Sequence, residues 1–378
     1  MTAYAVGDRV EARIGPVAHG GHMVARVPAG PEPGAAAVVV FVRHALPGEL
    51  VLVEITGTAK RFLRGDAVEV LEASADRVAA PCPLAHPDGC GGCDFQHVSL
   101  PAQRSLKEAV VAEQLQRLAG LDVEVTVEEV PGAADGLGWR TRMQYVPLAD
   151  GGRGLRKNHS HDVVAVPRCL IEAPDARIQL VGEPPSGATV VETVRHRSFE
   201  VAADGFWQVH PAAPETLLAA VLELLEPQPG ERAVDLYAGV GLFSAFLAEA
   251  VGPTGQLLSI ESDKRASALA ARNLADLRNV TVRPGRVDRV LTELDTMADV
   301  VVLDPPREGA RRAVVDLVVD LAPRAIAYVA CDPAALARDL SYFAERGYRL
   351  SVLRSFDLFP MTHHVECVAH LVKTGPEL

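Results

Sequence analysis

A chain of 378 residues is long enough for two or three domains, and 48% apolar with 23% charged residues is ordinary globular composition, which excludes disorder and fibrous repeats. The longest apolar run, Ala35 to Val42, is strand-sized, so no membrane span is expected. The net charge of −12 excludes a surface basic throughout, but nucleic-acid binding needs only a local basic patch.

The opening MTAYAVGDRV has neither the basic segment nor the apolar core of an export signal. Six cysteines without such a signal point to metal binding or catalysis in a cytoplasmic protein rather than to a disulfide framework.

Residues 1–75 read as all-β. VGDRVEARI, HMVARV, AAVVVFVRH, ELVLVEI and DAVEVLEA are short β-branched runs separated by Gly and Pro. Five strands in so small a module predict a closed barrel of the OB type, which either binds oligonucleotides or serves as an inert cap.

Residues 76–205 form a mixed central domain. It opens on the cysteine-rich CPLAHPDGCGGCDFQH and continues into LKEAVVAEQLQRLAG. There Leu106, Val110, Val111, Leu115 and Leu118 recur at helical spacing until Gly120. A strand follows around TRMQYVPL. Between Arg140 and Arg168 stand Arg140, Arg142, Arg153, Arg156, Lys157 and Arg168 against only Asp150 and Asp162, with His159 and His161 beside them. That strip is either an RNA-facing surface or a solvated face. Pro184 and Pro185 mark a turn.

From residue 206 to 378, strand-then-loop units (RAVDLYAG, GQLLSIES, VTVRPG, ADVVVLDPP, AIAYVACDP) alternate with helical stretches such as DKRASALAARNLADL and PAALARDLSYFAER. The alternation predicts an α/β fold with a doubly wound sheet.

Four motifs in this last part carry chemistry. In DLYAGVGLFS, Asp235 ends a strand, and Gly239 and Gly241 let backbone approach a ligand at the sheet's carboxyl edge. Glu261 ends the next strand, where an acidic residue hydrogen-bonds ribose hydroxyls. In LDPPREG, two prolines stiffen the loop after Asp304, which either caps the helix beginning near Arg307 or faces a ligand. In YVACDP, Cys331 lies between a strand and a helix N-terminus, so it is either a small buried hydrophobe or a thiol whose position favours thiolate. In FPMTHHVECVAHLVK, Glu366 is either a solvent-facing alternation residue or a general base, with His363 and His364 as further candidates.

FWQVH (Phe206 to His210), DLYAGVG, LDPPREG, VACDP and THHVE, in this order, resemble the RNA 5-methyluridine (uracil-C5) methyltransferase family. The resemblance covers nearly the whole chain and implies a TRAM-like barrel, a cysteine-bearing central domain and a class I S-adenosylmethionine domain. It implies that Cys331 adds to C6 of uracil and that Glu366 removes the C5 proton. Gln208, Asp235, Tyr237, Gly239, Gly241, Glu261 and Asp304 would bind S-adenosylmethionine, with Gln208 and Asp304 also near the base. Cys82, Cys90, Cys93 and Cys169 resemble the 4Fe–4S ligands of the branch acting on 23S ribosomal RNA, although seven residues rather than five separate the first two. Zinc is the alternative occupant.

Several positions depart from the family pattern. Leu242 and His210 stand where Asn is frequent. Gly285-Arg286 lacks the acidic residue expected near the adenine, where Asp288 could substitute. Cys367 is expected to be buried. The competing functions are the same chemistry on transfer RNA, a non-catalytic RNA-binding or assembly factor, and a small-molecule C-methyltransferase. An RNA clamp needs neither Cys331 nor Glu366, and a small-molecule enzyme leaves the barrel and basic strip unexplained. No obligate protein partner is evident.

Overall fold

The computed structural model describes residues 4–29, 36–158, 160–184, 186–294 and 296–374; Ala35, His159 and Pro185 lie outside them. Strands β1 (Arg9–Val17), β2 (Met23–Pro28), β3 (Ala37–Arg43), β4 (Leu50–Thr58) and β5 (Phe62–Glu72) close into a barrel in the order β1-β2-β3-β5-β4. Alternate residues such as Val38, Val40 and Val42, or Val51, Val53 and Ile55, fill its interior, as a period of two requires. Gly65 lets β5 cross β4 closely: a Cβ there would lie 2.8 Å from the Glu54 carbonyl oxygen.

Helix α1 (Leu100–Gln114) joins the barrel to the rest. Ser99 precedes it, Pro101 occupies its first turn, and it runs on through a π-helical turn, Leu115–Ala119, to Gly120 at φ +67°. Its apolar residues serve two cores. Leu106 and Val110 pack into the barrel, whereas Val111 and Leu115 pack into the large C-terminal domain. Leu118, expected on the buried face, is exposed, because the wider turn shifts the helical phase before it. The helix also buries Lys107, which the apolar pattern could not reveal.

Beyond the short β6 (Val127–Glu128), the central sheet has the order β10-β7-β8-β9, from β7 (Arg140–Pro147), β8 (Arg153–Arg156), β9 (Val163–Ala165) and β10 (Glu172–Leu180). The hairpin of β11 (Thr189–Val194) and β12 (Arg197–Ala202) comes next, then α2 (Ala213–Leu225).

The C-terminal domain runs β13 (Arg232–Leu236), α3 (Leu242–Val251), β14 (Gln256–Glu261), α4 (Lys264–Asn273), β15 (Val280–Pro284), α5 (Val287–Thr292), β16 (Val300–Leu303), α6 (Arg311–Asp320), β17 (Ala325–Ala330), α7 (Pro333–Glu345), β18 (Tyr348–Phe356) and β19 (Glu366–Lys373). Its eight-stranded sheet has the order β15-β14-β13-β16-β17-β19-β18-β6. The five strands from β15 to β17 are parallel, and β19 returns antiparallel between β17 and β18. The chain leaves β13 on one side through β14 and on the other through β16. The crevice at their carboxyl ends is therefore the topological switch point, where such sheets bind ligands. β11 and β12 are tied to this domain: Arg197 pairs with Asp276 at 2.7 Å and Glu249 at 2.8 Å. Among the described residues no helix is long and apolar enough to cross a membrane.

Lys107 donates to Asp357 at 2.5 Å and to the Phe359 carbonyl at 3.0 Å, with both side chains almost fully buried. Removing one partner strands the other charge. Lys107→Ala is therefore expected to cost about 3–5 kcal/mol of unfolding free energy. Urea denaturation measures the loss, and Lys107→Met combined with Asp357→Leu should recover much of it.

Candidate active site

β17 ends at Ala330, and Cys331 occupies the turn before α7. Asp332 caps that helix, its Oδ1 accepting from the Ala335 amide at 2.8 Å. The cap does not make the thiol acidic. Burial first, then the nearby Glu366, Asp304 and Asp332 carboxylates, push the Cys331 thiol up to about 12, with Arg307 opposing. The favoured thiolate expected from the helix N-terminus is thus absent from this state of the site, because desolvation and three carboxyls outweigh one helix end.

Glu366 opens β19 opposite Phe356 and is 4% exposed, so it is not a solvent-facing alternation residue. Burial and the Asp304 charge raise its pKa well above the ordinary carboxylate range. Asp304 follows β16 and does not cap a helix: α6 starts only at Arg311, behind Ala310. Burial brings the Asp304 carboxyl to about 7. Between them, the 305–309 loop closes as a turn, Gly309 N–H donating to the Pro306 carbonyl at 2.7 Å. That turn presents Arg307 to the same pocket.

The pocket holds about 510 Å³ of empty space including its mouth, and its walls come mainly from three parts of the chain, with Phe95 between them. The β1–β2 loop contributes His19, Gly20 and Gly21; α1 contributes Leu106, Lys107 and Val110; the C-terminal domain contributes Arg307, Cys331, Asp332 and His363 to Val365. Gly21 sits so close that a Cβ there would lie 2.6 Å from the His363 Cβ. The segment leading to Glu366 is held from the N-terminal side. Asp94 and Phe95 amides both donate to the Met361 carbonyl at 3.0 Å. The Asp94 carboxylate pairs with His363 Nδ1 at 2.6 Å. Gln103 Oε1 accepts from the Met361 amide at 2.8 Å. His364 is pushed down to about 3, by burial above all, which makes it a poor base.

A second group lies at the carboxyl ends of β13 and β14. Tyr237, Gly239 and Gly241 all take positive φ, bending the chain tightly into α3. Gly239 N–H donates to Glu261 Oε2 at 2.9 Å, and Glu261 Oε1 accepts from the Asp263 amide at 2.6 Å. Asp235 is fully buried: Oδ2 accepts from Ser244 Oγ at 2.6 Å, while Oδ1 has no hydrogen-bond partner among the described residues. Burial, reinforced by Asp304 and Glu261, raises it to about 7. Asp288 lies close enough to raise the Tyr237 phenol, burial being the larger cause, and pairs with Arg286 at 2.8 Å. An acidic group therefore does stand beside this loop. Gln208 is half-buried on the turn before α2, whose Val209 carbonyl accepts from the Thr141 amide at 2.8 Å.

The four remaining candidates converge only in part. Burial raises the Cys90, Cys93 and Cys169 thiols, Cys93 to about 12, and neighbouring cysteines, Cys82 included, add to the effect. Among the described residues, however, no group of three or more Cys, His, Asp or Glu side chains is arranged to hold a metal ion. The donors suit iron or zinc; their arrangement does not yet. Cys367 is fully buried, with Ser355 Oγ at 3.3 Å.

The basic strip also divides. Arg142 donates to the Gly205 carbonyl at 2.8 Å, Arg153 lies over the Tyr145 ring and bonds the Pro167 carbonyl, and Arg140 donates to the Arg142 carbonyl. These three are occupied in the fold. Arg156 and Arg168 are exposed. Sequence reading missed His19, Asp94, Gln103, Lys107 and Arg307. His19-Gly20-Gly21 between two strands was the one local signal, a histidine beside glycines that allow close approach.

Residues 188–374 match the family model described as tRNA (uracil-5-)-methyltransferase, and residues 5–68 match the TRAM domain. An uncharacterized RNA methyltransferase of Streptomyces avermitilis is 46% identical over 97% of this chain and 98% of its own length. A counterpart in Streptomyces coelicolor is 45% identical over 97% and 93%. The tRNA (uracil-54, C5)-methyltransferase of Pyrococcus abyssi, solved with S-adenosyl-L-homocysteine, has a similar fold: TM-score 0.69 at 19% identity, covering 96% of this chain and all of that one.

Gly21→Ala is expected to push the barrel loop off His363. An alanine at φ +77° with a 2.6 Å clash should cost about 1–3 kcal/mol and lower kcat more than RNA affinity. Thermal unfolding and steady-state methyl transfer measure the two effects.

Proposed function

This chain belongs to the S-adenosylmethionine-dependent RNA (uracil-5-)-methyltransferase family, and from that premise we propose that it methylates a uracil C5 in ribosomal RNA, with Cys331 as nucleophile and Glu366 as base. The observation that carries this reading is the thiol of Cys331 lining a pocket, with the carboxyls of Glu366 and Asp304 near enough to act on it electrostatically.

Uracil C5 is too weak a nucleophile to take a methyl group unaided. Addition of the Cys331 thiolate to C6 pushes the ring electrons toward O4 and makes C5 enolate-like. Once C5 has taken the methyl group, removal of its remaining proton by Glu366 lets the C6–S bond break and restores the ring. A raised pKa suits Glu366, since a stronger base draws a carbon-bound proton better. The target base has to leave the RNA stack, at a cost of roughly a few kcal/mol and less in a loop.

Asp235, Tyr237, Gly239, Gly241 and Glu261, with Asp304 and Gln208, would hold S-adenosylmethionine. The unpartnered Asp235 Oδ1 and the tight glycine turn fit a polar ligand at that edge. When bound, S-adenosylmethionine supplies the electrophilic methyl group. Ribosomal RNA is favoured over transfer RNA by the four-cysteine set; the transfer RNA reading rests on the description of the matched family model. Mass-spectrometric mapping of 5-methyluridine in RNA from a deletion strain decides between them: a missing modification in transfer RNA alone would overturn the ribosomal assignment.

Glu366→Gln is expected to accumulate a covalent enzyme–RNA adduct on denaturing gels, and Cys331→Ala to form none. Methyl transfer by Cys331→Ala near the parental rate would refute the nucleophile.

Cys82, Cys90, Cys93 and Cys169 are read as ligands of a structural 4Fe–4S cluster. Four soft thiols, none in a disulfide, lie near enough to influence one another's charge, and binding that removes their protons would draw them inward. Protein purified without oxygen should be brown with about four iron per chain. Colourless protein with a single zinc would replace the cluster by a tetrahedral site.

The barrel and the exposed Arg156, with Lys157 beside it, would hold RNA phosphate. Arg156→Ala should weaken RNA binding and reduce the salt slope by roughly one unit or less, without changing cofactor affinity. Arg153→Ala should act on stability instead, because its guanidinium is spent on Tyr145 and Pro167.

A further inference from the structure

Cys331 has to lose its proton before it can add to a base, and the groups around it do not help. Glu366, Asp304 and Asp332 disfavour the thiolate, and Arg307 alone favours it. Some group at the pocket has to accept that proton. Glu366 is buried, and the reaction needs it as the base at C5. Asp332 is held charged by His19 and by backbone amides, so it is a weak base. His363 gives Nδ1 to Asp94 and keeps Nε2, but its carboxylate partner belongs to the cysteine loop and not to the Cys331 turn; His364 is a poor base for the reason already given.

His19 is left. It comes from the barrel, yet it lines the pocket that contains Cys331. Its Nε2 lies 3.1 Å from Oδ2 of Asp332, the residue next to the nucleophile. A carboxylate at Nε2 fixes the proton there and leaves Nδ1 as the basic nitrogen. The ring is 40% exposed, so water reaches it. The bond to Asp332, with a smaller contribution from Glu113, holds its pKa above the ordinary histidine value. These two carboxylates raise it, and Lys107 and Arg307 line the same pocket.

We propose that His19 accepts the proton of the Cys331 thiol, so that the barrel supplies the base activating the nucleophile of the catalytic domain. The step rests on Cys331 being the nucleophile. The S–H bond breaks, and its proton passes to His19 Nδ1 directly or through one water. The electron pair left on sulfur forms the bond to C6, and the C5–C6 π pair moves toward O4. When the product leaves, the C–S pair returns to sulfur, which takes the proton back from His19. Asp332 carries the positive imidazolium in between. A barrel displaced from the pocket would leave a protonated, unreactive thiol, so methyl transfer requires the barrel in place.

The test uses the full-length protein and reads thiolate formation apart from turnover. Iodoacetamide alkylation of Cys331 is followed by peptide mass spectrometry across neutral pH for the parent, His19→Ala and His19→Gln. Glutamine can still donate to Asp332 but is no base, so it separates proton transfer from a mere latch. Both variants should alkylate about tenfold or more slowly at neutral pH. Their kcat on saturating RNA should fall by about 10²-fold, with RNA and S-adenosylmethionine affinities unchanged. Parental alkylation and kcat in His19→Gln would overturn the proposal. Methyl transfer by Cys331→Ala would instead overturn the nucleophile itself, a separate result that the alkylation profile does not affect.

Discussion

The segment from Asp357 to Glu366 carries the candidate base, and what holds it is a charge taken out of water. Lys107 and Asp357 face each other at 2.5 Å with almost no exposure. Neither charge tolerates that burial alone, since desolvation costs several kcal/mol per ion and only the partner and further hydrogen bonds offset it. The pair therefore admits one arrangement of α1 against the segment. The Phe359 carbonyl takes a second Lys107 proton, and Gln103, one turn earlier on the helix, brackets Met361. Asp94 then fixes His363.

This bracing explains why three parts of the chain meet at one pocket. α1 buries one apolar side in the barrel and another in the catalytic core, so it sets the distance between them. The barrel loop can then reach the Cys331–Asp332 turn through His19, and Gly21 can lie against His363. The cysteine loop is part of the same brace, because Asp94 directly follows Cys93. A cluster that orders this loop would act on catalysis by position, with no electron transfer required.

The pocket itself is tuned by burial. Glu366, Asp304 and Cys331 are all raised, so the site disfavours negative charge on each of them. A carboxyl with a raised pKa is a capable base for a carbon-bound proton, and a thiol raised to about 12 stays unreactive until something takes its proton. Asp235 and Asp304 link this pocket electrostatically to the glycine turn, so one cluster of buried carboxyls spans both.

Local pattern alone determined the barrel strands, the alternating strands and helices of the C-terminal domain, and the Asp, Gly, Cys and Glu of its motifs. Each of those signals is short-range: a period of two, a period near four, or a turn residue whose chemistry is its own. Tertiary structure alone decided the rest. Lys107 looks like an ordinary helix lysine until Asp357, 250 residues away, is found beside it. His19 looks like a loop histidine until Asp332, 313 residues away, accepts its proton. The helix end that would make Cys331 acidic is outweighed by carboxyls that sequence places far apart, because desolvation and charge depend on what surrounds a group in space.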